Sequence, residues 1–266
     1  MKAIFFKELR LTRKLLIIWI ALVALLTGFA AIEFVVLKDT LGQLAELTGS
    51  FPKIVLVMFG LNGVDIGTPV GLYQCMTFWT NLLAFFFAGF LGVYAVAREE
   101  KFGTSEFLFT KPYKLKDIVL AKFWAAVVNL AIFAAVVWLA SFLCIVLPIG
   151  DMGVVALHTA ATAGMLFTQI VLFSIGLLIS GAAKNYKAAS LFTMLAVAAF
   201  YVINFVVDYA GTLDFLVYFT PVRYFEVMGV TRGGLNIGFI SLSAGIIICC
   251  LFAARLLVDK KDFRSV

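Results

Sequence analysis

Residues 98–122 read REEKFGTSEFLFTKPYKLKDIVLAK, a charged stretch between two long apolar runs, with Arg98, Lys101, Lys111, Lys114, Lys116 and Lys122 as its basic residues. Within it, Gly103 breaks the preceding helix, the hydroxyl of Thr104 or Ser105 is placed to cap a new one, and Glu106 falls in the first turn, where the helix dipole favours negative charge. Pro112 then stops that helix. Phe107, Leu108 and Phe109 lie between these signals, in roughly two turns. Nucleation is costly, so a helix this short needs a partner surface to hold it. Two surfaces qualify: the chain's own body or the lipid interface, and a groove on a second protein.

The flanks decide the class. Of 266 residues, 64% are hydrophobic and 14% charged, with a mean hydropathy of +1.09. A soluble domain holds about 45–50% apolar residues. The chain therefore reads as an integral membrane protein built of helices, which satisfy their own backbone in lipid. Apolar runs fall at 15–37, 70–97, 118–147, 155–182, 188–207 and 236–258. About 20 residues cross a hydrocarbon core of about 30 Å, so each run is long enough to span. Strongly apolar residues contribute about −0.3 to −0.6 kcal/mol each, and a dozen outweigh one misplaced charge at about +3 kcal/mol. Six spans are expected, in one transmembrane domain over 15–258, with a coupling loop at 98–117 and a basic tail at 259–266.

Between the first two runs, residues 38–69 form a longer connector holding the apolar piece Ile54–Leu61 near Gly60, Gly63 and Gly67. That piece is too short to cross and reads as interfacial or partly re-entrant. A second mixed connector covers 208–235. With the N-terminus inside, 17 of the 21 basic residues fall on the cytoplasmic side and four, Lys38, Lys53, Arg223 and Arg232, on the outer side. That asymmetry predicts both termini inside. It also places Phe107–Phe109 on the side where ATP is. The basic residues flank spans and form no continuous patch, which excludes a nucleic-acid surface.

The first residues, MKAIFFKELRLTRK, alternate apolar Ile4, Phe5, Phe6, Leu9 and Leu11 with charged Lys2, Lys7, Glu8, Arg10, Arg13 and Lys14. This predicts a basic amphipathic helix over 1–14 lying on the membrane lipid. A signal peptide with its apolar core at 15–26 is the competing reading, but the apolar residues continue through Leu37.

The order acid, Gly-Thr, short apolar helix, Pro, basic stretch and a Lys opening the next span resembles the first cytoplasmic loop of ABC-2 type transporter permeases. The matching residues are Glu99 or Glu100, Gly103, Thr104, Glu106, Leu108, Pro112 and Lys122. The FKELR run, covering Phe6, Lys7, Glu8, Leu9 and Arg10 after Phe5, is similar to the family's N-terminal elbow helix. FTPVRYFEVMGV before the last run and the tail LLVDKKDFRSV resemble two further family segments. The resemblance spans the chain and is closest to the smaller six-span permeases. It implies an all-α membrane protein with an elbow helix and a cytoplasmic coupling helix, Thr104–Thr110, bearing Phe107, Leu108 and Phe109. It also implies a separate ABC ATP-binding subunit that holds ATP and Mg, a second permease subunit, identical or paralogous, and a bacterial or archaeal cytoplasmic membrane.

The chemistry within the chain fits a non-enzymatic role. No GxxxxGK[ST] occurs, so nothing here cradles phosphates, and ATPase activity is expected on another subunit. There is no HExxH and no metal-ligand spacing. His158, the single histidine, reads as interfacial, and Cys75, Cys144, Cys249 and Cys250 as small core hydrophobes. Acidic residues are scarce within the runs, which argues against a proton- or sodium-coupled carrier. Asn81, Asn129, Gln169 and Asn204 lie within the runs as candidates to line a substrate path or to bond between helices. Gly63/Gly67, Gly67/Gly71 and Gly234/Gly238 have the spacing for close helix approach. The function expected is export of an amphipathic or hydrophobic substrate. The alternative is a non-transporting immunity, assembly or sensor protein that docks a cytoplasmic partner through the same loop.

Overall fold

The computed structural model describes residues 2–37, 40–101, 115–150 and 152–260. Among them every regular element is helical. The segment 102–114, with Gly103, Thr104, Glu106, Phe107, Leu108, Phe109 and Pro112, lies outside the described residues, as does the tail from 261.

α1 (Lys2–Leu37) is followed by two short helices, α2 (Leu41–Gly49) and α3 (Lys53–Met58), then by α4 (Pro69–Lys101). Next come α5 (Leu115–Ser141), α6 (Met152–Ala182) and α7 (Tyr186–Ala210). Two 3₁₀ turns, Asp214–Phe219 and Pro221–Arg223, lead to α8 (Val227–Gly233) and α9 (Ile237–Lys260). Six helices, α1, α4, α5, α6, α7 and α9, are long and apolar enough to cross a membrane.

The turn expected between an interfacial helix ending at 14 and a span starting at 15 is absent, because α1 runs through both. No Gly or Pro occurs from Lys2 to Thr27, so nothing interrupts the hydrogen-bond ladder. At 1.5 Å per residue α1 is about 54 Å long, against a hydrocarbon core of about 30 Å. Its buried face runs Ile4, Glu8, Thr12, Leu16, Val23, Thr27 and Phe34. That stripe carries a carboxylate and two hydroxyls, while Phe6 is 64% exposed. Of the apolar residues of 1–14, Ile4 lies on that stripe with Phe5 packed beside it, while Phe6 and Leu11 face outward.

α4 and α6 form the centre and are the most buried spans; α1 and α5 pair beside them, α7 lies on α4, and α9 lies on α6. Phe87, Leu91, Leu130, Phe133, Phe173 and Leu177 fill the shared core. The close approach at this centre uses Gly92 and Gly176. A Cβ on Gly92 would stand 2.4 Å from the Phe173 carbonyl oxygen, and one on Gly176 would stand 2.8 Å from that of Gly89. Of the glycines flagged in the sequence, Gly63 and Gly234 serve turns, with φ of +74° and +69°, while Gly71, inside α4, lies close against the Asp65 carbonyl of the preceding connector rather than against another span. Ile54–Leu61 is likewise not one helix, since α3 ends at Met58.

α5 widens into a π-helical stretch, Phe142–Val146, where the Leu147 N–H donates to the Phe142 carbonyl, before a last turn at Leu147–Ile149. Pro148 explains the widening. It has no N–H to offer, and its ring crowds the carbonyl four residues back. At the opposite end of the bundle, Ser180 of α6 enters the ladder of α4. Its Oγ accepts from the Ala97 N–H at 2.9 Å and donates to the Val93 carbonyl at 3.2 Å, two groups that an unbroken helix would pair with each other.

Candidate functional site

Where α1 begins, α4 ends and α5 begins, the three helices are joined by buried charge. Lys122 Nζ lies 2.7 Å from Glu8 Oε1 and 3.2 Å from Glu99 Oε1. Lys7 and Arg98 also approach Glu99 Oε1, each at 3.6 Å. Glu8, Glu99, Lys122 and Arg98 are all at most 5% exposed. Taking such charges out of water costs several kcal/mol per ion, so they persist only as mutual partners. One turn deeper, Asn129 Nδ2 donates to Thr12 Oγ1 at 2.9 Å, and the Thr12 hydroxyl donates to the Glu8 carbonyl at 2.8 Å. The Arg98 guanidinium lies 4.9 Å from the Tyr94 ring centroid, and its Nη1 is buried without a partner among the described residues.

The spacing of the sequence explains the placement. Ile4, Glu8, Thr12 and Leu16 recur at four residues, one side of a helix, so the carboxylate enters with the packing face. Lys122 is a lone cation amid buried Ile118, Val119, Ala121 and Phe123. Of the residues singled out in the sequence, Lys7, Glu8, Glu99, Lys122 and Asn129 meet here. Phe5 packs by Ile4, Ile118 and Ala121; Leu9 is half-buried, and Phe6 and Arg10 are exposed. Glu100 lies in the last turn of α4. Thr12, Arg98 and the central role of Lys122 were not anticipated, and the isolated charge within an apolar run was the available signal.

The polar residues of the spans divide. Asn81 and Asn204 line one narrow cleft together with Phe78, Tyr201, Asp208 and Glu226. Asn129 belongs to the charged junction. Gln169 is fully buried and donates to the Ala84 carbonyl across the α4–α6 contact at 3.1 Å.

The connector before α9 closes the cleft. Arg223 Nη1 donates to Asn204 Oδ1 at 2.9 Å and to Asp208 Oδ1 at 2.5 Å, and Thr220 Oγ1 donates to the Phe200 carbonyl at 3.0 Å. Burial works against the Arg223 charge, but Glu226, Asp208 and Asp214 outweigh it and raise its pKa.

His158 is buried rather than interfacial. Its Nε2 lies 3.0 Å from the Trp138 carbonyl, which only accepts, so Nε2 carries the proton and Nδ1 accepts from the Tyr73 hydroxyl at 2.8 Å. It ties α4, α5 and α6 together. Among the described residues no group of His, Cys, Asp and Glu is placed to hold a metal ion, and all four cysteines are unpaired.

Residues 2–257 match a family described as ABC-2 family transporter protein. The chain belongs to the ABC-2 transporter family. Comparison with curated proteins returns no match. The match runs from the start of α1 almost to the end of α9, so the charged junction and the cleft both lie within the ABC-2 region. The ABC-2 protein is a multi-pass membrane component whose six long helices carry both features.

Proposed function

We propose that this chain is the transmembrane permease subunit of an ATP-driven ABC-2 exporter. ATP and Mg would sit on a separate ATP-binding subunit, and a second permease subunit, identical or paralogous, would complete the path. The asymmetry of basic residues supports a cytoplasmic-membrane orientation with both termini inside. In that orientation residues 102–114 face the ATPase, and the segment Thr104–Thr110 is the coupling helix that its movement displaces.

The observation that carries this reading is the Glu8–Lys122–Glu99 junction. Glu99 and Lys122 flank the coupling loop on α4 and α5, and Glu8 belongs to α1. A push on the loop therefore reaches three helices as one unit, since separating them would strand buried charge. The elbow role falls to the first turns of α1, which transmit the push without a joint of their own. An amphipathic or hydrophobic substrate would leave between permease subunits.

The test is co-expression with a candidate ATP-binding subunit, followed by purification and ATP hydrolysis in lipid nanodiscs. Phe107→Asp and Leu108→Asp should each abolish co-purification of the ATPase while the permease still inserts. Unchanged recovery of the complex would remove the coupling assignment. A permease that purifies alone and leaves hydrolysis unaffected would favour a non-transporting docking protein.

A further inference from the structure

The cleft beside α7 runs from the connector end of the bundle to Phe85 and Tyr201. Phe85 is the middle residue of α4, and Tyr201 stands three residues from the middle of α7, about 5 Å along the helix. The inner end of the cleft therefore falls within the hydrocarbon core of about 30 Å that these spans cross. At that depth a polar group without a partner is costly. Polar side chains nevertheless line the cleft along its length: Asn62 and Asp208 at the connectors, then Asn204, Asn81 and Tyr201 further in.

Two of the innermost groups have bonding capacity to spare. The Tyr201 hydroxyl is buried and has no hydrogen-bond partner among the described residues, and the Asn81 amide likewise bonds to none of them. The charges at the mouth are matched instead: Asp208 and Glu226 both pair with Arg223, whose Nη1 also reaches Asn204. The cleft thus calls for hydrogen bonds and not for charge. Size narrows the choice further. The space inside is about 50 Å³, whereas one water site takes about 10–15 Å³ and two to four polar partners. A few waters fit, and a drug-sized body or a lipid headgroup does not. Asn81 also lines a second cavity of about 10 Å³, among Thr80, Ser141, His158 and Thr162, which is the scale of a single water site.

We propose that the cleft is a site for ordered water, a short file that enters at the connector end, bonds to the Asn81 amide and the Tyr201 hydroxyl, and exchanges with the solvent at the mouth. Water both donates and accepts, so it serves the hydroxyl and both ends of the amide. A lipid chain in the same space would leave all of them unsatisfied, and an ion would meet carboxylates that Arg223 already neutralises. The file stops on aromatic faces: the Tyr201 ring centroid lies 6.3 Å from that of Phe85 and 6.5 Å from that of Phe86, the latter two planes 1° apart. One turn past Phe85 the helices touch directly, since a Cβ on Gly89 would stand 3.2 Å from Val197 Cγ2 and 3.3 Å from Thr193 Cγ2. The seam between α4 and α7 is therefore wet toward the connectors and close-packed toward the other end. This goes beyond the exporter reading and does not rest on it.

The experiment is X-ray radiolysis of the full chain in phosphatidylcholine nanodiscs, mixed with oxygen-18 water immediately before exposure, with oxidation mapped by peptide mass spectrometry. Hydroxyl radicals formed from a bound water mark the side chains beside it. Phe85 and Phe87 share a helix and are 3% and 0% exposed, so bulk solvent reaches neither ring. Phe85, which lines the cleft, should be oxidised at least ten-fold faster than Phe87, Phe133 and Phe173 of the packed core, and Phe85 and Tyr201 should both carry oxygen-18. Asn81→Leu, which places an apolar side chain of similar size in the cleft, should lower the marking of both several-fold, with its melting temperature recorded to show that it folds. Oxidation of Phe85 at the rate of the core rings in the wild-type chain overturns the proposal, whatever the variant does, and is the result expected if a lipid chain fills the cleft. Marking of Phe85 without oxygen-18 overturns exchange with the mouth. Undiminished marking in a folded Asn81→Leu chain shows that water reaches the rings by another route and overturns the file.

Discussion

Lys122 and Glu8, 114 residues apart in the chain, meet at 2.7 Å with both side chains buried. The contact joins the start of α1 to the start of α5, and Glu99 at the end of α4 completes it at 3.2 Å from the same ammonium. Neither carboxylate is exposed enough for solvent to stand in for the lysine.

Lys122→Met should therefore be severely destabilising, since removing one partner of a buried pair costs about 3–5 kcal/mol. The double variant Lys122→Met, Glu8→Met removes both members of the shorter contact and leaves Glu99 with Arg98 and Lys7. It should recover most of the loss. Thermal melts of detergent-purified protein decide it, and equal losses in the single and double variants would count against a mutually dependent pair.

The centre of the bundle makes a steric prediction. Gly92→Ala drives a Cβ to 2.4 Å from the Phe173 carbonyl oxygen, a backbone atom that cannot turn aside. Overpacking of this kind costs about 1–3 kcal/mol. Gly28→Ala, within α1, meets nothing within 4 Å and should stabilise; alanine is favoured over glycine inside a helix by about 0.5–1 kcal/mol. A Gly92→Ala protein that melts at or above the wild-type temperature would refute the close approach of α4 and α6.

Tyr73→Phe strands the acceptor nitrogen of His158, and His158→Phe strands the Tyr73 hydroxyl. Leaving such a buried group unsatisfied costs about 1–3 kcal/mol. The double variant should cost clearly less than the sum of the two, because both changes remove the same bond. Strict additivity in the melting data would show that the pair does not interact.

Arg223 anchors the connector through one nitrogen, Nη1, which reaches both Asn204 and Asp208. Arg223→Lys should keep the anchor only in part, since the ammonium sits on a shorter, more flexible stem. Both Arg223→Lys and Arg223→Met should loosen the connector after α7. Limited proteolysis between Gly211 and Gly234 is the readout, with faster cleavage in both variants and the greater effect in Arg223→Met. Unchanged cleavage would show that other contacts hold the connector.

Hydropathy alone locates the six long helices, because a membrane span must be apolar over about 20 residues whatever it packs against. The charged junction was half visible. Lys7, Glu8 and Glu99 stood out on either side of the first and second spans, but nothing local pairs Glu8 with a residue 114 positions on. The missing joint in α1 followed from the absence of Gly and Pro, a signal present in the sequence and outweighed by the amphipathic reading of its first 14 residues. His158 was read as interfacial because its partners, Tyr73 and the Trp138 carbonyl, come from two other helices. Asn129 and Gln169 share a residue class with Asn81 and Asn204 yet lie in different surroundings, which only the packing of helices separates.

Ser180 gives the second long helix a place to bend without a hydrocarbon penalty. A helix in lipid that opens one rung ordinarily exposes a bare amide and a bare carbonyl. Here a hydroxyl from α6 already holds both the Val93 carbonyl and the Ala97 N–H. A second partner for both groups is thus in place a few residues short of Glu99. α4 itself stays one helix from Pro69 to Lys101, and its last turns, just past that substitute rung, are the part joined by charge to α1 and α5.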